Sequence, residues 1–237
     1  AHTGVFWDIN DFPLPCLDPH VVYENINSTL LNKGYTGPVS IWLYANDETQ
    51  IKKEDYETLG FRICFEPQDT RDYRITVDML ICALDHPMQN LMVLAEDFKE
   101  EDAVDNIYLL HHRKQNILLA YKQQAGSILP TENPRWLYES LLQALDQHGC
   151  QHVDKKLKTT IRIFNAPTLG SFPRSSGNRR SRIQKIAKFI LFHALTHSRL
   201  PTTLLVLEED ILRDHPLFMT VCQAVTSGGL NLIFSRP

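Results

Sequence analysis

The chain has 237 residues, 43% of them apolar and 22% charged, a balance ordinary for a globular protein and sufficient for one large domain or two compact ones. No apolar run approaches the roughly 18 residues that span a bilayer, and the N-terminus lacks the basic-then-apolar pattern of a signal peptide, so the reading is a soluble protein without a membrane partner. The net charge of −4 conceals an asymmetry: residues 1–128 carry 20 Asp/Glu against 10 Lys/Arg, whereas 129–237 carry 8 against 14. Such a split suits either separate electrostatic tasks or two solvated surfaces of unlike composition.

In chain order, apolar runs rich in β-branched and aromatic residues alternate with helical periodicities. The pattern predicts a strand over 5–8, a helix over 19–33, a strand over 39–44, a helix over 53–59, a strand over 62–65, a helix over 74–84, a strand over 91–94, a helix over 103–113 and a strand over 116–121. That alternation is the signature of an α/β fold, a doubly wound and mostly parallel sheet covered on both faces. The first helix has the clearest limits. Asp18 caps it, Pro19 opens it, and Lys33-Gly34 closes it with a cation and a C′ glycine.

Self-comparison predicts a second, tandem unit. Leu14-Pro15, Pro19, Tyr23-Glu24, Leu30 and Gly34 recur at a constant offset of 115 residues as Leu129-Pro130, Pro134, Tyr138-Glu139, Leu145 and Gly149. Further on, Ile75, Leu80, Ala83-Leu84 and His86 reappear as Ile186, Leu191, Ala194-Leu195 and His197, and the run 91–97 reappears as 204–210. Proline, glycine and Tyr-Glu matches are not what shared core periodicity alone produces. The division is therefore 1–128 and 129–237, the second unit shortened where the first has its third strand and a helix.

Function in an open parallel sheet gathers at the carboxyl ends of its strands. Asp8 ends the first strand, Asp97 follows the fourth, and Asp78 lies in the first turns of the helix before the fourth. In a 3-2-1-4-5 order strands one and four are neighbours, and the three carboxylates would meet in one crevice. Gathered carboxylates repel unless a cation neutralises them, and Mg²⁺ or Mn²⁺ does this while activating water against a phosphate. Each residue also has an ordinary structural alternative: Asp8 as the cap of a turn, Asp78 as the partner of Arg74 one helical turn away. The second unit has Gln123 and Phe189 at the positions of Asp8 and Asp78.

The opening 4–13, the phrase 77–85 and the run 91–97 resemble the NYN domain, a PIN-like (Rossmannoid) nuclease fold, with the nearest likeness to plant proteins of the meiosis regulator and mRNA stability factor family. The resemblance spans most of 3–145, with the second unit similar to a degenerate copy. It implies Mg²⁺- or Mn²⁺-dependent endoribonuclease chemistry on RNA, in control of gene expression or RNA stability. Asp8, Asp78 and Asp97 match the acidic metal positions, and Arg74 stands where a lysine is usual and can meet phosphate. Two departures imply weakened activity. Asp8-Ile9-Asn10-Asp11 replaces Asp-x-Glu-Asn, and Ala95-Glu96-Asp97-Phe98-Lys99 replaces Ser-Gly-Asp-x-Asp, which leaves Asp11 and Asp102 or Asp105 as supporting carboxylates.

A second candidate surface is the basic run Arg174, Arg179, Arg180 and Arg182, extended by Lys185 at the start of a helix. It suits the backbone of single-stranded RNA and reads no sequence, since it lacks interleaved aromatics. It equally suits a solvated loop, or one docked on the acidic first unit. His193 and His197 share a helix face without the glutamate of a zinc protease motif. Five cysteines, an odd number with no C-x-x-C pair, favour a reducing intracellular compartment. Residue 1 is Ala, which leaves a preceding targeting segment open. Two functions stay in view: a metal-dependent endoribonuclease, or a catalytically degenerate module that binds RNA, a protein partner or another copy of itself.

Overall fold

The computed structural model describes residues 1–15, 18–86, 89–95, 101–120, 134–148, 179–197, 203–207 and 215–235. The first half is a βα alternation: β1 (Thr3–Asp8), α1 (Pro19–Asn32), β2 (Val39–Ala45), α2 (Lys53–Glu57), β3 (Phe61–Phe65), α3 (Gln68–Asp85), β4 (Asn90–Leu94), α4 (Glu101–His112) and β5 (Asn116–Ala120). The strands form one sheet, β3-β2-β1-β4-β5, with every pair parallel. Right-handed crossovers carry helices to both faces of such a sheet, so its central strand has no polar side to offer water. β1 is accordingly buried along its whole length.

Alternation along β1 divides the core. Val5 and Trp7 pack with α1, whose Val22, Ile26 and Leu30 supply an i, i+4 stripe, while Phe6 packs with α3 on the other face. α1 begins as its sequence predicts: the Asp18 carboxylate accepts from the His20 N–H at 2.8 Å, with Pro19 at the first position. It ends through Gly34 at φ +89°, where the Tyr35 N–H returns to the Leu30 carbonyl at 2.9 Å.

One boundary differs with consequences for function. α3 begins at Gln68, directly after Pro67, and not at Arg74. Its first turn carries Asp69, Thr70 and Arg71, which break the apolar periodicity that marks a helix in sequence. Arg71 is nevertheless among the largest fully buried side chains of the chain. Asp78 therefore stands ten residues into the helix, roughly 15 Å along its axis, and not in its first turns.

The second half contributes α5 (Arg135–His148), α6 (Arg179–His197), β6 (Thr203–Leu207), α7 (Pro216–Ser227) and β7 (Asn231–Ser235). β6 and β7 pair in parallel as a separate two-stranded sheet. Their order, α6-β6-α7-β7, has the same element types as α3-β4-α4-β5. Of the basic residues read as a loop, Arg179, Arg180 and Arg182 lie in the first turn of α6, Lys185 follows in the helix as expected, and Arg174 falls outside the described residues. Arginine is a good helix former, and no Gly or Pro follows Gly177 to delay the start.

Packing joins the described residues on either side of 121–133. Leu137 and Leu141 of α5 are fully buried in the same cluster as Trp7, Leu94 and Leu118 of the large sheet. Ser140 of α5 bonds Asn25 and Thr29 of α1 at 3.0 Å each, and Tyr138 donates to the Pro13 carbonyl at 2.9 Å. On the opposite face α6 and α7 cover α3, with Ala187, Ile190, Leu191, Phe218 and Val221 in its core cluster. Leu137→Ala and Leu141→Ala are each expected to cost about 2–5 kcal/mol. Urea unfolding of both variants should keep the single transition of Leu118→Ala, and a separate transition for α5 would contradict a shared core. Among the described residues no helix is long and apolar enough to cross a membrane.

Candidate functional site

Asp8 lies at the carboxyl end of β1, in register with Tyr44 of β2 and beside β4. Its carboxylate is 4% exposed and is occupied from two directions. The Asn10 N–H donates to Oδ1 at 2.9 Å, closing a turn over the strand end. Arg71, from the first turn of α3, donates from Nη1 to both carboxylate oxygens at 2.9 Å. The same guanidinium donates to the Glu66 carbonyl from Nε at 3.3 Å and from Nη2 at 3.1 Å, and Nη2 also donates to Asn46 Oδ1. A buried guanidinium must find partners for a fixed fork of donors, and this strand-end crevice supplies them. Burial pushes the Asp8 carboxyl above its ordinary value, against the pull of Arg71 and of the Asn10 and Asp11 N–H groups.

Asp78 shares no hydrogen-bond partner with Asp8. Arg71 and Asp78 are seven residues apart on one face of α3, two turns or roughly 10 Å. Asp78 Oδ2 instead accepts from Arg74 Nε at 2.8 Å and from the Tyr44 hydroxyl at 2.9 Å, with Cys64 Sγ 3.9 Å away. Burial, with Asp78 next in weight, holds the Tyr44 hydroxyl well above its usual pKa and lifts the Cys64 thiol to about 12. The i, i+4 pairing of Arg74 with Asp78, open as an alternative in the sequence, is the one the structure contains.

Of the remaining predicted site residues, Asp11 follows β1 and gives its backbone N–H to Asp8. Asp102 belongs to the first turn of α4, with its side chain outside the description, and Asp97 lies outside the described residues altogether. Glu66, Asn46 and Arg71 also belong to the site and carry no motif in the sequence. The signal for Arg71 was its spacing: 71, 75 and 78 share one helical face, so a helix extended back to Gln68 places a buried cation over the strand ends.

The fit to a divalent ion follows from these contacts. Both Asp8 oxygens already accept from a guanidinium that is 1% exposed, and Asp78 is engaged two turns away. Among the described residues no three His, Cys, Asp or Glu side chains are grouped to hold a metal ion. Asp8 and Asp78 as placed do not fit a shared Mg²⁺ or Mn²⁺.

Beside α3 is a cavity of about 550 Å³, lined by Trp42, Arg62, Cys64, Arg74, Asp78 and Asp85 among others, with Thr220 of α7 at its wall. Asp8 is not among its lining residues. Arg62 lies over the Trp42 ring, 4.8 Å from the centroid, and Phe6 stacks on Trp42 at 4.6 Å.

An all-parallel five-stranded sheet in this order, flanked by helices, is the PIN-like α/β fold of nuclease-type domains. The sequence model of the NYN domain matches residues 2–134, more than half of the chain, and the chain belongs to that family. No curated protein and no solved structure matches the chain significantly. NYN and PIN-like nucleases generally use divalent metals; here Asp8 is paired with Arg71 and Asp78 with Arg74.

Proposed function

We propose that this chain is an RNA-binding NYN module that retains the nuclease fold and carries a guanidinium where a nuclease of this fold carries its metal. The observation behind the reading is the Arg71–Asp8 contact: both carboxylate oxygens at 2.9 Å from one buried donor. A cation entering against Asp8 has to displace Arg71, and a displaced, unpaired guanidinium in the interior costs several kcal/mol. RNA is the ligand that the NYN family suggests. Arg179, Arg180, Arg182 and Lys185 at the start of α6, with Arg174 before them, supply cations for its phosphates. Such a module acts in RNA stability by binding.

Anisotropy of a fluorescently labelled single-stranded RNA tests this. The expected affinity is the same in EDTA as in Mn²⁺, and the triple replacement Arg179→Ala, Arg180→Ala and Arg182→Ala lowers the slope of log affinity against log salt by about 2. Binding that requires Mn²⁺ would overturn the reading.

One observation favours the other function, a weak Mg²⁺- or Mn²⁺-dependent endoribonuclease acting through Asp8, Asp78 and Asp97. β4 lies directly beside β1, so the chain leaving Leu94 toward Asp97 starts next to Asp8. That function requires Arg71 to leave Asp8 when metal and RNA arrive, and it predicts cleavage that Asp8→Asn abolishes.

A further inference from the structure

The cavity beside α3 has the size of a small-molecule site and an unusual set of polar groups. Arg74 and Asp78 are held side by side by one bond, Nε to Oδ2. Among the described residues the hydrogen bonds of Arg74 use only Nε, and those to Asp78 fall on Oδ2. The terminal amino groups of Arg74 and Oδ1 of Asp78 are left as an adjacent donor and acceptor on the cavity wall. The Tyr44 hydroxyl and α3 fix the carboxylate, so the pair is preorganised. Next to it Arg62 lies over Trp42, which is itself backed by Phe6, and Arg62 is exposed.

This wall does not suit a phosphate, because Glu57 and Asp85 stand with Asp78 around the same cavity and offset its two arginines. It suits an uncharged planar heterocycle that stacks on a guanidinium and offers an acceptor next to donors. Guanine does so, with O6 beside N1–H and the N2 amino group. Adenine and cytosine, turned over, offer an acceptor to Arg74 but a single amino N–H to Asp78, one donor fewer than guanine. Uracil has O4 and N3–H but a smaller ring to stack and one donor fewer.

We propose that this cavity takes one unstacked guanine base, with Arg74 donating to O6, Asp78 accepting from N1–H and N2–H, and Arg62 stacking on the ring. The RNA-binding reading is the premise for the base arriving in a strand. Asp78, expected as a metal ligand, is in this view a base-reading carboxylate.

Calorimetric titration of the full chain in EDTA with guanosine, adenosine, cytidine and uridine tests the site without any phosphate. Guanosine is expected to bind at one site, at least about tenfold more tightly than the other three. 1-Methylguanosine, which lacks the N1–H, is expected to lose that advantage. Arg62→Ala, at an exposed position, should weaken guanosine by about tenfold through lost stacking. Equal affinity for all four nucleosides, no guanosine binding at millimolar concentration, or full binding of 1-methylguanosine would each overturn the proposal. RNA binding without guanosine binding removes this site alone, whereas guanosine binding without RNA binding supports the site and removes the RNA reading.

Discussion

Arg71→Ala is expected to lower folding stability by about 3–5 kcal/mol at neutral pH. The substitution leaves the Asp8 carboxylate, 4% exposed, with only backbone N–H groups to offset its charge. It also strips the Glu66 carbonyl and Asn46 of their donor. The pH dependence has a definite sign. Burial already raises the Asp8 pKa, and a raised carboxyl contributes stability that is lost as pH rises through the folded value. Without Arg71 the rise is larger, so the deficit of Arg71→Ala should shrink as pH falls below the carboxyl's folded pKa. Adding Asp8→Asn should recover most of the loss at pH 7, because a neutral amide needs no counter-ion. Urea unfolding of the two variants measures both effects, and a loss below about 1 kcal/mol in the single variant would contradict a buried lock.

Asp78→Ala is expected to cost about 3 kcal/mol in EDTA, since Arg74 and the buried Tyr44 hydroxyl both lose their acceptor. The sign of this effect separates the two functions. Carboxylates gathered for a metal repel in its absence, and removing one of them stabilises the empty protein. Here the carboxylate sits between two donors, and its removal destabilises. Thermal unfolding without metal reads the sign directly; a rise in Tm for Asp78→Ala would return Asp78 to the acidic cluster predicted from sequence.

The strands and the helix α1 were legible because local chemistry and tertiary placement agree there. The Asp18 cap, Pro19 and Gly34 mark the same helix in sequence and in space, and the apolar runs of β1 and β4 need burial on both faces. The start of α3 was not legible. Apolar periodicity is the usual mark of a helix, and the turn from Gln68 to Arg71 packs its inward face with a guanidinium. The site depended on that turn. Asp8 and Asp78 have the spacing of a nuclease pair, yet spacing does not say whether a carboxylate meets a metal or an arginine one helical turn away. Once α3 is extended to Gln68, Arg71 arrives over Asp8, Arg74 is committed to Asp78, and the two carboxylates have different partners.

α5 teaches a related point. The offset of 115 aligns it with α1, and on that ground it opens a second unit. In space Leu137 and Leu141 complete the face of the first sheet that α1 leaves uncovered, so similarity in sequence and membership of a core are separate properties of one helix.

If this NYN domain binds RNA with Arg71 in the place of a metal, Mn²⁺ brings no cleavage. Incubation of end-labelled single-stranded RNA with the full chain in Mn²⁺, beside Asp8→Asn, tests it most directly. The expected result is RNA that is bound and intact, with no more cleavage by the wild type than by the variant. Mn²⁺-dependent cleavage by the wild type that disappears in Asp8→Asn would contradict it.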